Sequence, residues 1–392
     1  MFSFAEAVKI KFKELFNEDP VIVRSPGRAN LIGEHTDYNL GFVLPCAIDK
    51  AIYFAVAPRQ DKRCKLYALN MDECFETNID GLKKSEKGWP NYLMGVLDQL
   101  NKAGHTFSGF NCVFGGDIPV GAGLSSSAAL EAGLAFTLNH IFDLGIDKLS
   151  LVKLAQKAEN EFVGVQCGIM DQFINIFGES GAVLRLDCKT LEYQYFPFAF
   201  DDVAIVLFNS NVSHSLASSQ YNQRRKECSE GVNHIKKYEG QVESLRDVSM
   251  EMLYRFQSTL NPTVYRRCKY VIEENDRLLQ ACTALEKRDL MAFGRAMVTT
   301  HDSLSRDYEV SCPELDYLVD LVRDNPHVYG ARMMGGGFGG CTINLVQSGS
   351  VDCLSAFVKE KYLQKFGIET TLYVTSISSG TSVLNVNESA KV

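Results

Sequence analysis

The chain sorts into elements by where its apolar positions fall. Phe4, Val8, Phe12 and Leu15 recur at three- and four-residue spacing, which predicts an amphipathic helix within Met1–Phe16. Val21–Ser25 reads as a short strand ending at Pro26-Gly27, and Ala51–Pro58 as a β-branched and aromatic strand stopped by proline. Phe110–Phe114 is a third strand, running into Gly115-Gly116. After Ser125 the period changes: Leu130, Leu134, Leu138 and Ile141 predict a long helix, and Leu151, Leu154, Ala158 and Phe162 a second. Ala182–Asp187 and Val203–Asn209 return to strand. From Ser218 to Arg306 the chain turns helical and charge-rich, with Arg224-Arg225-Lys226 and Arg266-Arg267 expected on solvated faces. Tyr329–Met334 and Thr342–Val346 are strands on either side of a glycine run at 335–340. The expected class is α+β. A composition shift near 190–205 predicts two domains, 1–200 and 201–392.

Composition narrows the partners more than the fold. At 392 residues the chain exceeds one ordinary core. Lys+Arg is 40 against Asp+Glu 48, a net charge of −8, which argues against nucleic acid because a polymer of phosphates wants a basic surface. Apolar runs such as Val203–Phe208 fall far short of the ~18 residues a membrane span needs. Lys9, Lys11 and Lys13 are interleaved with Glu6 and Glu14 and followed by Glu18 and Asp19, which suits a docked helix better than a targeting peptide. A cytoplasmic protein is expected. The 12 cysteines form no Cys-x-x-Cys pair, so reduced and mostly buried thiols are expected.

Four segments carry candidate chemistry. Gly27–Tyr38 packs Arg28, Asn30, Glu34, His35, Asp37 and Tyr38 into one short stretch. Such a mixture of donors and acceptors suits neighbouring sugar hydroxyls, each of which gives and takes hydrogen bonds; a polar loop is the plainer alternative. Pro119–Ala129 places Gly121, Ala122, Gly123, Leu124, Ser125, Ser126 and Ser127 between a strand and a helix, where glycine backbone and unpaired helix N–H groups favour phosphate. No lysine follows as in a P-loop, and a serine N-cap explains part of the same pattern. Glu159 sits on the second helix. Asp171 lies among Ile169, Met170, Phe173 and Ile174, so it reads either as a base or as a helix-capping acid. Five glycines in 335–340 exceed what a tight hairpin needs and fit a second phosphate-facing loop.

Together these segments resemble the GHMP small-molecule kinases. The resemblance runs through Glu34–Gly41, the serine loop and Met333–Gly340, with shorter agreement at Pro90-Asn91-Tyr92, Cys167–Phe173, Asn209–Ser219, Tyr221 and Asp307-Tyr308-Glu309. It implies a two-domain fold, an S5-like N-terminal half and a ferredoxin-like C-terminal half with the site between them. It implies transfer of the γ-phosphoryl group of ATP to the C1 hydroxyl of α-D-galactose, with Mg²⁺ and no obligate protein partner. In that reading Asp171 and Arg28 are the catalytic pair. Glu34, His35, Thr36, Asp37, Gly168, Asp171 and Tyr221 meet the sugar, Gly121–Ser127 the nucleotide phosphates, and Ser127 and Glu159 the metal. An N-acetylgalactosamine kinase and a non-catalytic galactose sensor are the alternatives. Three positions depart from the family pattern: Ala29 stands where valine is usual, Ala129 where serine is common, and Met334 where threonine is typical. The last is expected to matter most, by removing a hydroxyl near the nucleotide or sugar.

Overall fold

A computed structural model describes residues 3–119, 121–213 and 217–384; the readings at Met1, Phe2, Val120 and His214–Leu216 lie outside the described residues. Three sheets organise the chain. In the first, six strands run in the order Ser382–Leu384, Val21–Asn30, Pro45–Pro58, Phe110–Gly116, Arg63–Ala68 and Glu73–Asn78. Every pairing is antiparallel except Arg63–Ala68 with Phe110–Gly116. Pro45–Pro58 is buried along most of its length because both faces of the sheet are covered. Val8 and Phe12 of helix Phe4–Phe16 pack on one side with Ala55, Tyr67 and Val113, while Phe4 and Leu15 stay largely exposed. Helix Ser126–Ile141 covers the other face, and Gly133 permits the approach: a Cβ there would lie 2.5 Å from the Phe54 ring. Glu6, which argued against a targeting peptide, closes a capping box with Ser3 at the start of the first helix.

The strand expected to stop at Ser25 continues to Asn30. Pro26 and Gly27 are absorbed by a register shift between Pro26 and Arg28, one of the few places a sheet tolerates proline. That bulge brings Arg28 to the site. The second helix spans its apolar positions but changes type partway: Lys148–Lys157 passes into a wide π-turn, Ala158–Val163, that carries Glu159.

A second sheet orders Val328–Met333, Gly339–Gln347, Val203–Ser213 and Thr371–Thr375, and a third joins Phe42–Val43, Ala182–Asp187 and Tyr193–Pro197. Between residues 217 and 306 lie the helices Ala217–Lys236, Met250–Arg255, Pro262–Glu286 and Leu290–Arg306. Here one expectation fails. Arg224 and Arg267 are buried, not solvated. Arg224 donates to the Tyr308 and Glu309 carbonyls at 2.7 and 2.8 Å, and Arg267 bonds Glu227 at 3.0 Å and also the Asp307 carbonyl. The turn Asp307-Tyr308-Glu309 has carbonyls that no ladder satisfies, and these two guanidinium groups satisfy them. Arg266 keeps its place at the surface.

Chain order and spatial order part company at the C-terminal end: Ser382–Leu384 pairs with Ile22–Arg24 at the edge of the first sheet. All twelve cysteines are free, with Cys74 and Cys353 exposed, Cys167 intermediate and the others buried. Among the described residues no helix is long and apolar enough to cross a membrane.

Candidate functional site

A cavity of about 120 Å³ is lined by Arg28, Glu34, His35, Asp37, Cys167, Gly168, Met170, Asp171, Tyr221, Gly335 and Gly336. The bulged strand supplies Arg28 and the turn after it supplies Glu34, His35 and Asp37. That turn needs Gly33, whose φ is +89° and whose Cβ would meet the Phe42 carbonyl at 2.7 Å. Helix Pro262–Glu286 holds it from behind: Glu274 accepts from Gly33 N–H at 2.9 Å, Asn275 from Phe42 N–H at 2.8 Å, and the Tyr270 hydroxyl donates to the Glu34 carbonyl at 2.9 Å. Thr36 serves the turn rather than the cavity. It is buried, and its hydroxyl is spent on the Gly33 and Phe42 carbonyls.

Asp171 sits in the first turn of helix Met170–Phe177. Its sequence neighbours Phe173 and Ile174 turn into the core, but its own carboxylate stays partly exposed at the cavity. Arg28 grips it with two bonds, Nε to Oδ1 at 2.8 Å and Nη2 to Oδ2 at 3.0 Å. Arg28 also donates to the Gly123 carbonyl, and the Ser125 hydroxyl donates to Asp171 Oδ2. Neither capping explanation survives this geometry. Ser125 occupies the N-cap position without a side-chain cap bond, at φ +59°, and Asp171 spends its oxygens on Arg28 and Ser125.

The two glycine-rich loops face one another. Ala122 and Leu124 turn their side chains into the core, so only their backbone is left for a ligand, while Gly121, Gly123 and the three serines keep an open side. Gly335 and Gly340 lie beside this loop at ordinary contact distance, a Cβ on either being 3.7 Å from the Gly123 or Gly121 backbone, so their φ of +82° and +81°, not crowding, favours glycine. Gly337, φ +80°, is forced for a different reason, since a Cβ would lie 2.1 Å from the Val310 carbonyl. Met334 is buried in the core, so the missing threonine hydroxyl takes nothing from the cavity wall.

Electrostatics separate the acidic groups. Burial, then the charges of Asp171 and Glu34, pushes Asp37 up to about 7, while burial lowers His35 to about 4 and leaves it neutral. A raised carboxyl favours the folded protein below its unfolded pKa and loses that contribution as pH rises through the folded value. The melting temperature of the ligand-free protein, relative to Asp37→Asn, should therefore fall between pH 5 and pH 8. A difference that stays flat over that range contradicts the assignment.

Glu159 accepts from Gln172 Nε2 at 2.7 Å and from the Cys167 thiol at 3.3 Å, with the Ser127 hydroxyl also bonded to it. Burial raises it and, together with Glu159, pushes the adjacent Glu131 well above the carboxylate range. Glu131 Oε1 and Gln172 Oε1 are buried without partners. Crowded oxygens with unmet bonds suit a hard divalent cation held by one hydroxyl, one carboxylate and a nucleotide's phosphates. Among the described residues no cluster of three or more His, Cys, Asp or Glu forms a closed cage.

Two features escaped the sequence. Arg332, fully buried, bonds the Leu31 carbonyl at 2.8 Å and Glu34 Oε1 at 3.2 Å, and Gly335 N–H reaches the same oxygen at 2.6 Å. A lone arginine in the apolar strand Val328–Met333 was its signal. The other is a largely apolar cavity of about 320 Å³ beside Ser126 and Ser127, walled by Trp89, Tyr92, Phe114 and Leu130. Only Pro90-Asn91-Tyr92 hinted at it.

Comparison with known proteins agrees along nearly the whole chain. Residues 10–58 match the galactokinase galactose-binding signature, 91–179 the GHMP kinases N terminal domain and 281–362 the GHMP kinases C terminal domain. The galactokinase of Roseiflexus sp. (strain RS-1) is 43% identical over 94% of this chain and 95% of its own length. That of Clostridium acetobutylicum is 42% identical over 96% and 98%. The structure of Lactococcus lactis galactokinase complexed with galactose superposes with a TM-score of 0.93 at 37% identity, covering 97% of this chain and 99% of that one. Methanococcus jannaschii mevalonate kinase, at 18% identity and TM-score 0.67 over 92% and 99%, shares the fold.

Proposed function

This chain belongs to the galactokinases within the GHMP kinase family, and on that premise we propose how its residues divide the transfer of a phosphoryl group from ATP to galactose. The observation that carries the assignment is the locked pair Arg28–Asp171, which lines the sugar cavity and is tied through Ser125 and Gly123 to the glycine-serine loop. The two halves of the reaction meet there.

Galactose occupies the 120 Å³ cavity, its hydroxyls shared among Glu34, His35, Asp37, Tyr221 and the backbone at Gly168. Gly168 has to be glycine, since a Cβ would sit 1.8 Å from Asp37 Oδ2. The C1 hydroxyl lies against Asp171, which accepts its proton as the new bond to the γ-phosphorus forms and the bond to the β-phosphate oxygen breaks, releasing ADP. Arg28 orients Asp171 and offsets negative charge on the transferring group, the principal task in phosphoryl transfer. Backbone N–H groups of Gly121–Ser127 receive the phosphates at the start of helix Ser126–Ile141. The aromatic-walled cavity beside Ser126 and Ser127 takes the adenine ring.

Ser127 and Glu159 would hold Mg²⁺, which when bound would supply neutralisation of phosphate charge. Glu159→Gln should raise the magnesium concentration needed for half-maximal rate by about tenfold, the scale of one lost charge-assisted contact. An unchanged magnesium titration removes Glu159 from that role. We place the division between domains near residue 200, the matched terminal domains falling on either side of it.

The test of the whole reading is ATP consumption across galactose, glucose, N-acetylgalactosamine, arabinose, mevalonate and homoserine. Galactose should dominate. A folded protein that binds galactose without turning it over refutes the assignment.

A further inference from the structure

Asp171 offers a ligand less than a free carboxylate would. An ionised carboxylate only accepts, and its two oxygens together have about four acceptor directions. On Asp171 three are filled. Oδ1 accepts from Arg28 Nε at 2.8 Å, while Oδ2 accepts from Arg28 Nη2 at 3.0 Å and from the Ser125 hydroxyl. Among the described residues no other hydrogen bond reaches either oxygen. Oδ2 is therefore full, and the one direction left open belongs to Oδ1. The side chain keeps 27% of its surface exposed where it lines the cavity, so a ligand can reach it.

Placing Ser125 against Asp171 costs the chain in two ways. The Ser125 backbone stands at φ +59°, a region that residues other than glycine enter rarely and with strain. It also holds the N-cap position of helix Ser126–Ile141, where a serine hydroxyl ordinarily accepts from the first free N–H groups. Here the side chain makes no cap bond, so those N–H groups remain for phosphate oxygens while the hydroxyl turns to Asp171. Facing a group that only accepts, Ser125 is the donor, and its single proton is not available to a phosphate at the same time. The neighbouring serines are engaged elsewhere: Ser127 bonds Glu159, and Ser126 lines the aromatic-walled cavity.

We infer that Ser125 is a positioning residue for the base: by filling the second acceptor direction of Oδ2, it leaves Oδ1 as the atom that takes the proton of the C1 hydroxyl. The inference rests on the role proposed above for Asp171. In the transfer, the hydroxyl O–H bond breaks as the bond from hydrogen to Oδ1 forms. The freed oxygen bonds the γ-phosphorus as the bond from phosphorus to the β-phosphate oxygen breaks, and ADP leaves with that electron pair. The proton later passes from Oδ1 to water. Without the Ser125 hydroxyl both oxygens have an open direction, and the C1 hydroxyl can settle on either. A phosphoryl group held in one place is in line with only one of the two.

The experiment is the rate of the first turnover, measured by rapid quench with the full chain saturated in galactose and MgATP, for Ser125→Ala and Ser125→Gly. Both remove the hydroxyl, and glycine adopts φ +59° without strain, so the pair separates the hydroxyl from the backbone. Each should lower the rate about tenfold, one charge-assisted hydrogen bond's worth, with the KM of galactose and of ATP within about twofold of wild type. Adding Ser125→Ala to Asp171→Asn should cost less than about twofold more, because the serine acts through the carboxylate. A raised ATP KM with an unchanged first-turnover rate assigns the hydroxyl to phosphate and overturns the inference. So does a wild-type rate in Ser125→Gly, or losses that multiply in the double variant. Wild-type-like turnover in Asp171→Asn alone overturns the proposed base, and this inference with it, while leaving the galactokinase assignment intact.

Discussion

Asp171→Ala should lower turnover with galactose by at least ~10²-fold, the scale of the general-base help proposed for this carboxylate. The loss extends beyond the proton. Arg28 is buried and spends two of its donors on Asp171, so removing the carboxylate releases a guanidinium that would then pair with Glu34 or Asp37 nearby. Asp171→Asn separates the two contributions. It keeps the shape and one acceptor for Arg28 but cannot take a proton, so its turnover should fall almost as far while its galactose KM stays close to wild type. Wild-type-like turnover in either variant takes Asp171 out of the chemistry. Recovery in Asp171→Asn alone reduces it to a group that orients Arg28.

Arg332→Met should destabilise the fold by about 3–5 kcal/mol, the cost of leaving a buried charge without its partner. Glu34 is buried, and three of its four carboxylate bonds come from Arg332 and Gly335, all to Oε1. The Asn30 and Leu31 carbonyls also depend on this guanidinium. Methionine fills much of the volume and satisfies none of them. Chemical denaturation should show the midpoint fall with little change in its slope; a loss under about 1 kcal/mol contradicts the account. Because Glu34 lines the sugar cavity and Gly335 belongs to the glycine run, the same substitution should weaken galactose binding in whatever protein remains folded.

Periodicity located most elements, and clusters of glycine, serine and polar side chains located nearly all of the site segments. It missed where strands go on past a breaker. Pro26-Gly27 is punctuation in a local reading, yet the sheet absorbs it as a bulge, since only pairing with Cys46 and Ala47 shows that the strand resumes. Burial of charge was misread for a related reason. Arg224 and Arg267 sit in polar helical sequence, and their partners are carbonyls some 40 to 85 positions away, which no local pattern displays. Asp171 was legible as an odd acid among apolar residues, but its partners, Arg28 and Ser125, come from two other segments. Thr36 shows the opposite error. It shares a segment with the cavity residues and points its hydroxyl into the turn that holds them.

The pairing of Ser382–Leu384 with Ile22–Arg24 has a consequence for how the protein is made. Chains generally fold as they emerge, early segments first. Here the strand Val21–Asn30 leaves the ribosome well ahead of Ser382–Leu384, the neighbour that covers one end of its outer edge, with most of the other strands and helices made in between. Through that interval the edge offers unpaired N–H and C=O groups to any other strand. Arg24, which stands opposite Ser382 in the finished sheet and bonds the Ile48 and Ser379 carbonyls, places a charge on that strand while the edge waits.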